Sequence, residues 1–345
     1  VNLCWVGNSR SGFQSSGSMK SLITQVTRSG QVESFHVGYG VITDATGEIV
    51  KAYGDTQYPT YVRSSAKPLQ GMAVLRSGAY DDFKLNSEEL AVICSSHSGE
   101  PVHTETVSQI FSKAGIGPEH LACGIHPPIH RESAKALQAA GIAPQQIHNN
   151  CSGKHSGMLT TCVQLGYSPE DYLDPDHPVQ QYIYDIVKEY TSSDEIHRGV
   201  DGCSAPVFHL PLQKVAMAFA RISQQKNQEC RQIFQAMNGH PHLVGGEGRF
   251  DTALMESFPA KILSKGGAEA VSAAGFIMPD GQVYGLAVKV LDGNYRAIGQ
   301  MVLKMLEDIG FIQEPWSEKL KKWWKPELKN HAKRIIGTTK TMIIE

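Results

Sequence analysis

The spacing of apolar residues changes character twice along the chain. From about Glu33 to Thr43 every second position is apolar, with Phe35, Val37, Tyr39 and Val41 in register. That alternation predicts a half-buried strand. Asp44-Ala45-Thr46-Gly47 supplies a turn, and a second strand runs from Glu48 to about Tyr53, so the pair reads as a hairpin. From 67 to about 240 the spacing becomes helical. Val107, Ile110, Phe111 and Ala114 share one face, and Val179, Tyr182, Ile183, Ile186, Val187 and Tyr190 share another. Ser87 before Glu88-Glu89 is a helix start, and Pro211 to Ile222 and Asn227 to Met237 read as further helices. Strands then return, the first from Val271 to Met278. A Pro279-Asp280-Gly281 turn follows, then a strand from Gln282 to Val290. A helix from about Asn294 to Ile309 comes next, and Thr338 to Ile344 is expected to close the sheet as an edge strand. Strands at both ends around a helical middle predict an α/β fold of the α+β kind. Its antiparallel sheet is made from both chain ends and carries helices.

Composition narrows the class. The chain has 345 residues, of which 41% are hydrophobic, enough for the core of one large domain. A net charge of −2 gives no electrostatic case for nucleic acid or a membrane surface. No apolar run approaches the roughly 18–20 residues that span a bilayer. Seven scattered cysteines, an odd number, argue against a disulfide framework and for a reducing cytoplasm. Val1 to Ser18 is rich in Gly, Ser and Asn, without the basic and apolar regions of a secretory signal. It reads as an extension without fold, with Met19 as the natural start. Residues 19–345 then form one domain, with a sheet part at about 19–66 and 258–345 and a helical part at about 67–257.

Five stretches concentrate reactive side chains. In Arg63-Ser64-Ser65-Ala66-Lys67-Pro68 a serine precedes a lysine by one helical turn, with proline where a helix start tolerates it. A serine hydroxyl needs a base within reach, and a desolvated lysine amine can be one. The S-x-x-K spacing is that of penicillin-binding proteins and serine β-lactamases. Alone it is more often a helix cap with a solvated lysine. Cys94-Ser95-Ser96-His97-Ser98-Gly99-Glu100 is a polar run after an apolar helix. Asn149-Asn150-Cys151-Ser152-Gly153-Lys154-His155-Ser156-Gly157 lacks the spacing of a phosphate-binding loop, and its glycines permit close backbone approach. Asp201-Gly202-Cys203-Ser204-Ala205-Pro206 is by itself a turn. Ser264-Lys265-Gly266-Gly267 resembles the K-T-G strand of the S-x-x-K enzymes, with a plain turn as the ordinary alternative.

Taken together, these stretches resemble the asparaginase II family of the Rhizobium type, amidohydrolases on a fold like that of serine β-lactamases and penicillin-binding proteins. The resemblance also takes in His240-Pro241, Gly248-Arg249-Phe250 and Lys261 to Glu269, so it runs from about 60 to 270 in one order. Ala270 and Ser272 are local departures beside Lys265. The threonine-nucleophile asparaginases differ, since their T-G-G-T-I and H-D-T runs are missing from this sequence.

The resemblance implies hydrolysis of L-asparagine to L-aspartate and ammonia. It implies Ser64 as nucleophile with Lys67 as partner, and Ser96 with Lys265 as a second pair. Arg63 and Asp201 would hold the substrate, and Cys151, Lys154 and Cys203 would bind zinc. It also implies a homodimer. Two other readings stand beside it. One is an S-x-x-K hydrolase acting on a β-lactam or a D-Ala peptide, against which the helical middle has no S-D-N triplet. The other is a zinc-stabilised interaction module without activity, built on Cys151 and Cys203. Spacing alone favours buried free cysteines over a metal site at those two positions.

Overall fold

The computed structural model describes residues 20–313 and 317–345. The expected start at Met19 and the extension before it lie outside the described residues.

Eleven strands are present among the described residues. They are β1 (Ser21–Arg28), β2 (Gln31–Thr43), β3 (Ile49–Tyr53), β4 (Pro59–Tyr61), β5 (His197–Val200), β6 (Pro206–Pro211), β7 (Ile262–Gly267), β8 (Val271–Ile277), β9 (Val283–Val290), β10 (Glu327–Lys329) and β11 (Ile335–Ile344). Eight form one antiparallel sheet in the order β10-β11-β1-β2-β9-β8-β7, with β3 also paired to β2. Both ends of the described chain therefore contribute, as the alternating segments predict.

The sheet's burial pattern explains its sequence. In β1, Leu22, Thr24 and Val26 are buried and their neighbours are not, the mark of one covered face. β8 and β9 are covered on both faces and read as nearly continuous apolar runs. The Leu212–Ser223 helix lies on one face of β8 and β9. It comes so close that a Cβ on Gly285 would collide with the Ala216 carbonyl. The Ile298–Asp308 helix covers the other face, where Met301 and Met305 press against β2.

Thr338 to Ile344 closes the sheet as expected, since β1 pairs inside it from Thr339 to Ile344 and the three-residue β10 pairs outside β11 only between Ile335 and Thr338. One expectation is refined. The middle of the chain is mostly helical but also holds β5 and β6. These pair with β4 in a second sheet, ordered β4-β6-β5. That small sheet brings the residues after β4 next to the turn between β5 and β6.

Candidate active site

An open cleft of about 440 Å³ lies where four of the five sequence stretches meet the end of β7. Each side of it has a local cause. β4 pairs with β6, and the Val62 amide donates to the Phe208 carbonyl at 3.0 Å. The chain then turns into a short 3₁₀ segment, Arg63–Ala66, and the Lys67–Arg76 helix. Arg63 adopts φ +47°, in the left-handed region that costs a non-glycine residue roughly 1–3 kcal/mol. The turn presents Ser64 to the cleft, half-buried, with a side chain that makes no hydrogen bond among the described residues.

Arg63 and Asp201 meet each other. Arg63 Nε donates to Asp201 Oδ1 at 2.6 Å. Burial alone would raise the Asp201 carboxyl, but Lys154 and Arg63 hold it below the usual carboxylate range. The turn that carries Asp201 is a hairpin closed by Asp201 N–H to the Ala205 carbonyl at 2.9 Å.

Lys67 is buried and does not hydrogen-bond Ser64. Its Nζ donates to the Ser95 carbonyl (2.6 Å), Ser96 Oγ (3.0 Å), the Asn150 carbonyl (3.3 Å) and Cys151 Sγ (3.2 Å). Spacing rightly places the two residues a turn apart. It does not anticipate that an amine taken out of water turns toward the richest set of acceptors.

Lys265 reaches the same serine from the opposite side. Its Nζ donates to Ser96 Oγ at 2.8 Å and to the Gly266 carbonyl at 2.8 Å. Burial pushes this amine down to about 7, against the pull of Asp251. Lys265 lies on β7, so the strand reading of its stretch holds rather than the turn. The Ser65 hydroxyl donates to the Lys265 carbonyl at 2.9 Å and ties β7 to the Arg63–Ala66 turn. Ser96 is itself fixed, because its amide donates to the Val244 carbonyl at 3.0 Å. Next to it His97 is fully buried. Its Nδ1 accepts from Gly99 N–H at 3.1 Å, so Nε2 carries the proton and donates to Ser152 Oγ at 2.9 Å. Burial keeps that ring uncharged.

Cys151, Lys154 and Cys203 also come together, all buried. Cys151 caps the Ser152–Leu165 helix, and Lys154 lies in its first turn. Gly153 lets this helix touch the Ser87–Ile93 helix, since a Cβ there would strike the Val92 carbonyl. Lys154 Nζ donates to Cys203 Sγ at 2.9 Å. A hydrogen bond between the two thiols pulls Cys151 well below the ordinary thiol range and pushes Cys203 above it. Burial alone would lower the Lys154 amine, but the two sulfurs raise it. His155 Nδ1 meets the Tyr172 hydroxyl at 2.6 Å, whereas its buried Nε2 has no hydrogen-bond partner among the described residues. Two sulfurs and an amine close together are donors that suit zinc, whereas the His155 ring does not share one metal-sized site with both sulfurs.

Three neighbours have no role in the sequence reading. Asp251 accepts from Ser264 Oγ (2.7 Å) and Gly266 N–H (2.8 Å), bracketing Lys265. Arg249 and Tyr295 line the cleft. Arg249 falls inside one of the family-like stretches, which was the available signal. Asp251 and Tyr295 are hidden within ordinary helix starts.

A model of the L-asparaginase II family matches residues 24–341. No curated protein matches the chain. Among solved structures it is similar to one described as Mglu, at 12% identity over 81% of this chain and 69% of that one, with a TM-score of 0.36. A second, Mglu in its native form, gives 14% identity, 81% and 66% coverage and a TM-score of 0.37. A third, the native form in 4.3 M NaCl, gives 12% identity, 86% and 66% coverage and a TM-score of 0.34. The chain thus spans about two thirds of the length of those proteins. On a match over nearly its whole length, the chain belongs to the L-asparaginase II family of amidohydrolases.

Proposed function

We propose that the protein hydrolyses L-asparagine to L-aspartate and ammonia, with Ser64 as nucleophile. The observation that carries this reading is the convergence of Lys67 and Lys265 on Ser96 Oγ, at 3.0 and 2.8 Å, in a cleft whose wall presents Ser64. Ser64 Oγ attacks the side-chain amide carbon. Its proton passes into the Lys67–Ser96–Lys265 group, where an amine with a pKa near 7 is partly neutral and accepts it. The C–N bond breaks, and ammonia leaves with that proton. Water then attacks the aspartyl ester, its proton follows the same path, and Ser64 is restored. The Ser64 amide, at the open start of the Arg63–Ala66 turn, is a donor for the developing oxyanion.

Zinc belongs to this proposal as a structural partner. Cys151, Lys154 and Cys203 would hold it, with His155 the competing ligand. The proton now between Lys154 Nζ and Cys203 Sγ must leave first. Bound there, zinc supplies a fixed charge that orders the loop beside Ser64. Six free cysteines among the described residues favour a reducing, cytoplasmic setting. We also propose a homodimer, which light scattering would measure. No helix among the described residues is long and apolar enough to cross a membrane.

The test is ammonia release from L-asparagine, followed by acid quench and peptide mapping of the acyl-enzyme. Ser64→Ala should lower turnover by at least roughly 10³-fold, and the aspartyl group should map to Ser64. Residual turnover above about a tenth of wild type would sink the nucleophile assignment. A second reading, with Ser96 attacking and Lys265 as its base, is favoured by the two lysine contacts to Ser96. An aspartyl group on Ser96 would establish it instead.

A further inference from the structure

The cleft holds two arginines in different states. Arg63 is neutralised by Asp201 at 2.6 Å. Arg249 lines the same cleft beside Ser96, Gly266 and Tyr295, and its guanidinium has no hydrogen bond or ion pair among the described residues. The acids around it are engaged elsewhere. Asp251 holds Ser264 Oγ and Gly266 N–H, Glu247 faces His130 at 3.1 Å, and Glu100 faces His242 at 2.9 Å. The backbone of Arg249 is fixed, because it caps the Phe250–Ser257 helix, whose Ala253 amide donates to its carbonyl at 3.1 Å. Its charge bears on Lys265 and on Tyr295. A half-buried, uncompensated cation beside the buried Lys265 is a poor arrangement for an empty protein. It is a good one for an anionic ligand.

We infer that Arg249, rather than Arg63, receives the α-carboxylate of the substrate and is the residue that restricts this cleft to free α-amino acids. The inference rests on the L-asparagine reading above. Arg63 then serves to hold Asp201 in place for the substrate α-ammonium. A planar guanidinium can take a carboxylate through two parallel N–H···O bonds, which an amide in the same place cannot accept.

The experiment compares L-asparagine with L-asparagine α-amide, which keeps the side-chain amide but lacks the α-carboxylate. Ammonia from the side chain is followed by the appearance of the corresponding aspartyl product. Wild type should prefer L-asparagine. Arg249→Gln should raise KM for L-asparagine about ten- to a hundredfold, the loss expected of a charged hydrogen-bonded pair, while changing the α-amide reaction less than about threefold. Arg249→Lys should restore part of the lost preference, since it keeps the charge without the fork. Equal losses on both substrates in Arg249→Gln, with Arg249→Lys no better, would overturn the assignment. So would a selective loss in Arg63→Gln and none in Arg249→Gln. Wild type that releases no ammonia from L-asparagine would remove the functional reading and this inference with it. Wild type that turns over L-asparagine beside an indifferent Arg249→Gln would remove the inference alone.

Discussion

At the scale of single residues, Asp251 has the most testable influence. It brackets Lys265 through the Ser264 hydroxyl and the Gly266 amide. Its charge favours the ammonium form of Lys265, and burial, the larger effect, opposes it. The lysine accepts a proton only when neutral, so activity should rise with pH through about 7 in the wild type. Removing the carboxylate charge must lower the lysine pKa further. Asp251→Asn should therefore shift the acidic limb of the kcat/KM profile to lower pH and also reduce kcat, since the bracket is weakened. The profile measured from about pH 5 to 9 checks this. A limb that stays in place would show that another group titrates there. Sequence made Ser64, Lys67, Ser96 and Lys265 legible as reactive types at telling spacings. It did not show that both amines bond to Ser96, because a hydrogen-bond partner depends on which acceptors the fold brings near a buried amine.

At the scale of elements, the long periodic segments were readable and the short ones were not. The β8–β9 hairpin and the helix of Val179 to Tyr190 follow from spacing over many residues. β4 and β10 have three residues each, too few for a period to register. Their absence from the reading had consequences: β10 covers the start of β11, and β4 with β6 delivers Arg63 to Asp201. The metal prediction belongs to this scale, because two of its ligands sit on the start of one helix and the third on the β5–β6 turn. Metal analysis of protein purified without chelator should find about one zinc per chain. It should be lost in Cys151→Ala and weakened in Lys154→Ala. Affinity should fall as pH drops, because protons compete for the amine and both thiols. Zinc kept in Lys154→Ala but lost in His155→Ala would replace Lys154 with His155 as ligand. Metal-free wild type would remove the site.

At the scale of the whole molecule, the cleft is a junction. The Arg63–Ala66 turn and β7 are about 200 residues apart in the chain, yet the Ser65 hydroxyl bonds the Lys265 carbonyl. No one segment contains the site, so its chemistry was legible only as separate clues.

The pairing of β1 with β11 also sets a timetable for synthesis. Thr24 and Thr341 hydrogen-bond at 2.6 Å across 317 positions, and Ser21 to Val26 pair with Thr339 to Ile344. At about 5–20 residues per second, β1 leaves the ribosome roughly 15–60 s before its partner does. For that interval its outer edge is an open row of peptide groups, a template for pairing with other chains. Closure of the sheet must wait for β11 and be slow, as contacts so distant in sequence require. Ribosome-bound chains stalled after residue 330 should stay sensitive to protease in β1, whereas chains extended until Glu345 clears the tunnel should become protected. Protection already present at the shorter length would mean that β1 and β2 form a stable unit without β11.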